Sequence, residues 1–145
     1  MVYELELLVR IIIASMLGAA IGFDREWGHK PAGLRTHMLV GLGSAMFVVL
    51  GELLLGYFSY ETDSMRYDPT RILEAVVGGV AFLGAGTIFF SRGENIVKGI
   101  TTAASLWATA GVGMATGLEH YVLAVGTTLL IVVILQLFRL LEHDP

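Results

Sequence analysis

The stretch Tyr121-Val122-Leu123-Ala124-Val125-Gly126-Thr127-Thr128-Leu129-Leu130-Ile131-Val132-Val133-Ile134-Leu135-Gln136-Leu137-Phe138-Arg139-Leu140-Leu141 holds one charged side chain, Arg139. A bilayer core about 30 Å thick takes about 20 apolar residues as a helix. The helix of a soluble domain keeps a charged outer face, and this stretch has none. Leu5–Phe23, Met38–Phe58, Ile72–Phe90 and Gly99–Leu118 read the same way. The expectation is an all-α integral membrane protein, a bundle of about five transmembrane helices. Residues 1–145 are expected to form a single transmembrane domain with no C-terminal soluble domain. Only Glu119-His120 separates the last two stretches, so these also fit one bent or re-entrant unit.

Composition agrees. Charged residues make up 15% of the chain, against about 25% in soluble domains. The opening Met1-Val2-Tyr3-Glu4 lacks the basic region and cleavage site of a signal peptide, so the first span is expected to be retained. The absence of cysteine excludes disulfides, thiolate metal sites and cysteine nucleophiles. With a net charge of −4 and no basic run, nucleic acid is not an expected partner. Serines, histidines and acids lie scattered, with no phosphate loop and no His-Glu-x-x-His pattern, so no enzyme is expected. His29 and His37 share one short loop and read as interfacial rather than metal-binding.

Lys and Arg set the orientation. Arg25, Lys30, Arg35, Arg92, Lys98 and Arg139 fall on one side of the five spans. Arg66 and Arg71 fall on the other, with Arg10 if it counts as terminal. The richer side is cytoplasmic by the positive-inside rule, which puts the N-terminus outside and the C-terminus inside.

Helices in lipid associate through small residues and interhelical hydrogen bonds. Ala14, Gly18 and Gly22 make one stripe at four-residue steps, and Thr101, Ser105, Thr109, Gly113 and Gly117 make another. Ala75 and Gly79 form a shorter one, with Gly84 and Gly86 beyond. Packing within one subunit, a homodimer seam and a hydroxyl-lined pathway all fit these stripes. Trp107 lies mid-span, buried against a neighbour or facing lipid. A faint repeat aligns Gly33-Leu34-Arg35-Thr36 with Gly99-Ile100-Thr101-Thr102, and Gly18 with Gly84.

Arg10, Glu52 and Glu74 are charges inside apolar stretches, costing about 2.5–3.5 kcal/mol each near the bilayer centre. Arg10 is expected either to pair with Glu52 or Glu74, or to snorkel alone to the headgroups. A carboxylate left over is a candidate ligand for Mg²⁺, which keeps several waters on one or two carboxylates. Asp68, in Asp68-Pro69-Thr70-Arg71, reads as a helix N-cap or a metal ligand. Asp24, Arg25, Glu26, Arg35, Arg92, Glu94 and Lys98 gather on the inner side, where they lock loops together or form a docking surface.

Long blocks in one order then carry a family likeness. They are Gly22-Phe23-Asp24-Arg25-Glu26, Lys30-Pro31-Ala32-Gly33-Leu34-Arg35-Thr36-His37, Asp68-Pro69-Thr70-Arg71, Gly78-Gly79-Val80-Ala81-Phe82-Leu83-Gly84-Ala85-Gly86-Thr87-Ile88 and Lys98-Gly99-Ile100-Thr101-Thr102-Ala103-Ala104-Ser105-Leu106-Trp107. The chain resembles the MgtC/SapB family of bacterial membrane proteins over nearly its whole length. The resemblance implies an inner-membrane, multi-pass protein linked to growth at low Mg²⁺. Virulence-associated members act as regulators of the membrane ATP synthase, and many members add a cytoplasmic domain. Shared signature positions are Asp24, where the family usually has Glu, and Arg25, Gly33, Leu34, Arg35, Thr36, Arg71, Gly84, Gly86, Gly99, Thr101, Thr102 and Trp107.

Two functions follow as expectations. One is a non-enzymatic regulator touching another membrane complex, with a homodimer expected. The other is a transporter or channel for Mg²⁺ or another cation, with Glu52, Glu74 and Asp68 at its outer end. No tightly held cofactor is expected.

Overall fold

The computed structural model describes residues 2–59, 68, 70–91 and 95–141, without the side chains of 58–59 and 138–141. Of the residues singled out above, Arg66, Pro69, Arg92, Glu94 and the side chain of Arg139 lie outside this description. The order is α1 (Val2–Trp27), α2 (Leu34–Ser59), α3 (Thr70–Ala85), β1 (Phe89–Ser91), β2 (Ile96–Lys98), α4 (Ile100–Gly117) and α5 (Tyr121–Leu141). By length and composition, two of these helices, Val2–Trp27 and Leu34–Tyr57, are long and apolar enough to cross a membrane.

The third apolar stretch does not run as one helix from Ile72 to Phe90. Helix α3 stops at Ala85, and Phe89 and Phe90 enter an antiparallel hairpin in which Phe89 faces Lys98 and Ser91 faces Ile96. Glycine is a poor helix interior residue, and Gly84 and Gly86 flank the stop. The chain tightens there through Thr87 N–H to Gly84 O (2.9 Å), while the Thr87 hydroxyl donates to the same carbonyl (2.8 Å). Aromatic and β-branched residues then favour a strand. Gly99 closes the hairpin at φ 93°, where an added Cβ would strike the Thr87 carbonyl.

Two helix ends are built alike. After α1, Lys30 N–H bonds Arg25 O and His29 N–H bonds Glu26 O, with His29 left-handed at φ 50°. After α4, His120 N–H bonds Ala115 O and Glu119 N–H bonds Thr116 O, with Glu119 at φ 64°. Both are Schellman caps, whose left-handed position usually holds glycine. The second cap turns the chain within three residues, so α4 and α5 are two separate helices.

Helix α4 packs on all four others. Its glycines set its distance from α2: a Cβ at Gly113 would meet the Gly41 carbonyl, and one at Gly117 would lie 3.0 Å from Ala45 O. Gly18 abuts the His37 carbonyl and Gly22 lies against Leu34 and His37, seating α1 on α2. These glycines therefore pack helices within one chain. Gly84 lies against Ala103 of α4. Gly18 with His37 and Gly84 with Ala103 are thus the same contact displaced by one repeat, since both members shift by an equal number of positions.

These contacts fix the directions. Helices α2 and α4 run parallel, with α3 antiparallel to both. The α1–α2 turn and the β-hairpin share one end, called here the hairpin end. The start of α3 and the α4–α5 turn lie at the opposite end. Between α2 and α3 the packing is thinnest, and an apolar groove of about 880 Å³ opens there.

Candidate functional site

At the hairpin end, four polar side chains meet in the buried seam between α1, α2 and α4. Arg25 Nη2 donates to Thr102 Oγ1 at 2.8 Å. The Ser105 hydroxyl donates to Thr102 O at 2.8 Å and lies 3.0 Å from His37 Nε2. His37 Nδ1 stands 2.9 Å from Gly33 O, the carbonyl one turn before it. Since that contact needs a proton on Nδ1, a neutral His37 presents Nε2 as acceptor, and Ser105 has one proton for two acceptors.

Every member of this cluster is buried, His37 completely. Asp24, beside Arg25 on α1, is buried with it. Arg25 Nε is buried without a hydrogen-bond partner. Burying a guanidinium costs several kcal/mol, the neighbouring Asp24 carboxylate offsets part of that cost, and the packing of three helices holds the network in place. Below it, Glu26 Oε2 accepts Leu34 N–H at 2.9 Å and caps the start of α2. A Cβ on Gly33 would collide with that carboxylate.

At the opposite end, Arg10 Nη1 donates to Glu52 Oε2 at 2.7 Å and to Gly117 O at 3.3 Å. Its Nη2 pairs with Glu119 Oε1. Of the two partners open to Arg10 from the sequence, Glu52 is the one beside it. Glu74 is exposed on α3 and stands outside this cluster. Glu119 is the member that sequence reasoning missed, and its signal was its place in a two-residue link that a glycine would suit better.

The remaining candidates separate. Asp68 caps α3: its Oδ1 accepts the Thr70 amide at 3.0 Å and the Thr70 hydroxyl at 2.6 Å. These two bonds hold its carboxyl below the usual carboxylate range. Arg35 and Thr36 line the groove at the hairpin end and Arg71 lines it at the other. Thr101 is exposed, so Thr102 takes the inward place the stripe assigned to Thr101. Trp107 faces outward, 54% exposed. Gly86 sits in the turn after α3, near the Leu83 carbonyl. His37, read from sequence as interfacial, is instead a core residue, because its face of α2 is turned onto Gly18 and Gly22 of α1 and Ser105 of α4.

Between the two clusters α4 fully buries Thr109, a member of the stripe, and Thr116, which lies beside it. Their hydroxyls donate to Ser105 O and Val112 O, one turn back on the same helix. Gly113 closes the column against Gly41 and Ser44. Among the described residues no three His, Asp or Glu side chains come together to hold a metal.

The chain is similar to the putative magnesium transporter YhiD of Escherichia coli strain K12, 41% identical over 92% of this chain and 61% of that protein. It is similar to Protein MgtC of Brucella abortus, 43% identical over 87% of this chain and 48% of that protein. It is also similar to Protein MgtC of Salmonella typhimurium, 40% identical over 86% of this chain and 48% of that protein. The chain thus spans about half to three-fifths of the length of these relatives. No solved structure matches it significantly. The family model for MgtC matches residues 11–144, nearly everything described above, and the chain belongs to the MgtC family.

Proposed function

We propose that this chain is a non-enzymatic, multi-pass protein of the bacterial inner membrane that serves adaptation to low magnesium as a regulator. It crosses the bilayer with five helices, the hairpin end in the cytoplasm, and acts by contact with another membrane complex. The ATP synthase is the complex that the family likeness brings forward. The names of the relatives and the excess of Arg25, Lys30, Arg35 and Lys98 at the hairpin end support this reading.

One observation carries the choice of regulator over conduit. The polar column of α4 lies in a seam with no room for a methyl group beside Gly113, far less a hydrated cation. Its hydroxyls are turned back onto their own helix. A conduction route needs polar groups aimed into open space. A homodimer belongs to the same reading, since Gly111 and Gly126 leave small-residue positions open on α4 and α5.

The alternative is cation transport. It is favoured by the name of the Escherichia coli relative and by Glu52 and Glu119, two carboxylates sharing one arginine at the outer end. Liposomes loaded with a Mg²⁺-sensitive dye decide between the two. The regulator reading expects no protein-dependent flux, together with recovery of a membrane complex when tagged protein is purified from cells at low Mg²⁺. Saturable flux that Glu52→Gln reduces overturns it.

A further inference from the structure

Two bonds set the relative heights of the helices. Arg25 on α1 bonds Thr102 on α4, and Arg10 on α1 bonds Gly117 O on α4. Fifteen residues separate Arg10 from Arg25, and fifteen separate Thr102 from Gly117. The two helices therefore run side by side over about 22 Å at 1.5 Å per residue. Helix α3 keeps the same scale. Gly84 lies against Ala103, and Thr70 is fourteen residues before Gly84, which brings it level with Gly117. The start of α3 and the α4–α5 turn thus stand at the height of Arg10. Helices α1 and α2 go on. One rises eight residues past Arg10 and the other seven past Glu52, about 10–12 Å farther.

The end of the molecule opposite the hairpin is therefore a step, and its two levels differ in chemistry. On the rise, Leu5, Leu8 and Val9 of α1 and Leu53, Leu54 and Tyr57 of α2 are exposed. On the ledge, Asp68, Arg71, Glu119 and His120 are exposed, and Glu74 is exposed one turn deeper on α3. A hydrocarbon core about 30 Å thick, counted from Arg25, ends about twenty residues up α1. That is the level of Leu5, between the exposed carboxylates of Glu4 and Glu6. The same plane passes about 8 Å beyond the ledge and would leave the ledge charges in hydrocarbon. Immersing several charges costs far more than thinning, whose cost per ångström is modest. A bilayer drawn down to the ledge on every side would instead leave the six apolar side chains of the rise in water.

We propose that the leaflet opposite the hairpin end is thinned by about 8 Å on the α3–α5 flank and keeps its full thickness against the outward face of α1. Water then reaches Glu52 and Glu119 from the thinned side, below the level at which α1 leaves the bilayer. The partner of this flank is lipid with locally shortened hydrocarbon. The thinning presupposes the bilayer-spanning reading of the proposed function, and it holds whichever end faces the cytoplasm.

The chain has no cysteine, so single spin labels report single positions. Val9→Cys on α1 and Val122→Cys on α5 place labels at exposed sites within about one turn of the same height. Met16→Cys, exposed on α1 near mid-span, is the bilayer control. Collision of each label with oxygen and with a water-soluble nickel chelate is measured by electron paramagnetic resonance on the purified full chain in phosphatidylcholine vesicles. Met16 and Val9 are expected to favour oxygen, and the preference is expected to reverse to the nickel chelate at Val122. Leu8→Cys and Leu118→Cys, exposed at nearly the same height, repeat the comparison. Equal preferences on the two flanks, both lipid-like or both aqueous, overturn the proposal. Low collision with both reagents at Val122, the mark of a second copy seated on the flank, overturns it as well. The spanning reading fails separately, through a Met16 label that favours the nickel chelate. An oxygen-favouring Met16 with equal preferences elsewhere leaves that reading standing and removes only the thinning.

Discussion

Glu119 holds a left-handed backbone at φ 64° and sets its carboxylate against the guanidinium of Arg10 on the far helix. That conformation costs a non-glycine residue roughly 1–2 kcal/mol. A strained cap that carries an interhelical charge points to a role for the charge beyond ending a helix.

Glu119→Gly therefore separates strain from pairing. Relief of the left-handed strain offsets part of the lost ion pair, so Glu119→Gly is expected to melt higher than Glu119→Gln in detergent. With Arg10→Met in the background that order is retained, and the cost of removing the carboxylate falls by about 0.5–3 kcal/mol of coupling. Equal melting temperatures for the two variants would show that the turn is not strained.

The Arg25 network makes a second prediction. Thr102→Val removes the acceptor of Arg25 Nη2, on a side chain whose Nε already lacks one. A buried donor left unmade costs about 1–3 kcal/mol, and more when charged. Arg25→Met with Asp24→Asn removes both buried charges, so adding this pair to Thr102→Val is expected to restore part of the loss. Unfolding by a graded denaturing detergent reads this. A further loss, as simple additivity gives, is the contrary outcome.

Glycine positions divide sharply. Gly18→Val and Gly113→Val drive a side chain into a carbonyl of α2 and are expected to cost about 1–3 kcal/mol or to prevent folding. Gly78→Ala and Gly126→Ala meet nothing and are expected to be neutral or slightly stabilising, since alanine is the better helix former. Thermal unfolding in one detergent ranks them. Equal losses at both kinds of site contradict the packing.

Asp68 makes the start of α3 sensitive to acid. Its carboxyl lies below the usual carboxylate range because of the two Thr70 bonds. A group with a depressed folded pKa stabilises the fold above its unfolded pKa and loses that as pH falls through the folded value. Hydrogen-exchange protection at Thr70, corrected for intrinsic rates, is expected to be full at neutral pH and to drop in acid below the ordinary carboxylate range. Asp68→Asn keeps a capping oxygen without a titrating group and is expected to give a flat profile. A flat wild-type profile removes Asp68 from the cap.

Hydropathy by itself determined the helical stretches Leu5–Phe23, Met38–Phe58, Gly99–Leu118 and Tyr121–Leu141, because backbone amides in apolar sequence satisfy themselves most simply along a helix. It also marked Gly18, Gly22, Gly113 and Gly117, because close helix approach leaves a four-residue period of small side chains. Order and composition carried the family. Only the tertiary structure chose Glu52 over Glu74 for Arg10, brought Glu119 to the same guanidinium, moved the inward place from Thr101 to Thr102, and turned His37 into the core. Each of those depends on the rotation of one helix against another, and a hydropathy pattern that is apolar all round carries no such angle. The stop at Ala85 escaped for a related reason: Ile88, Phe89 and Phe90 are as apolar in a strand as in a helix, and only the Thr87 and Gly99 contacts settle which they join.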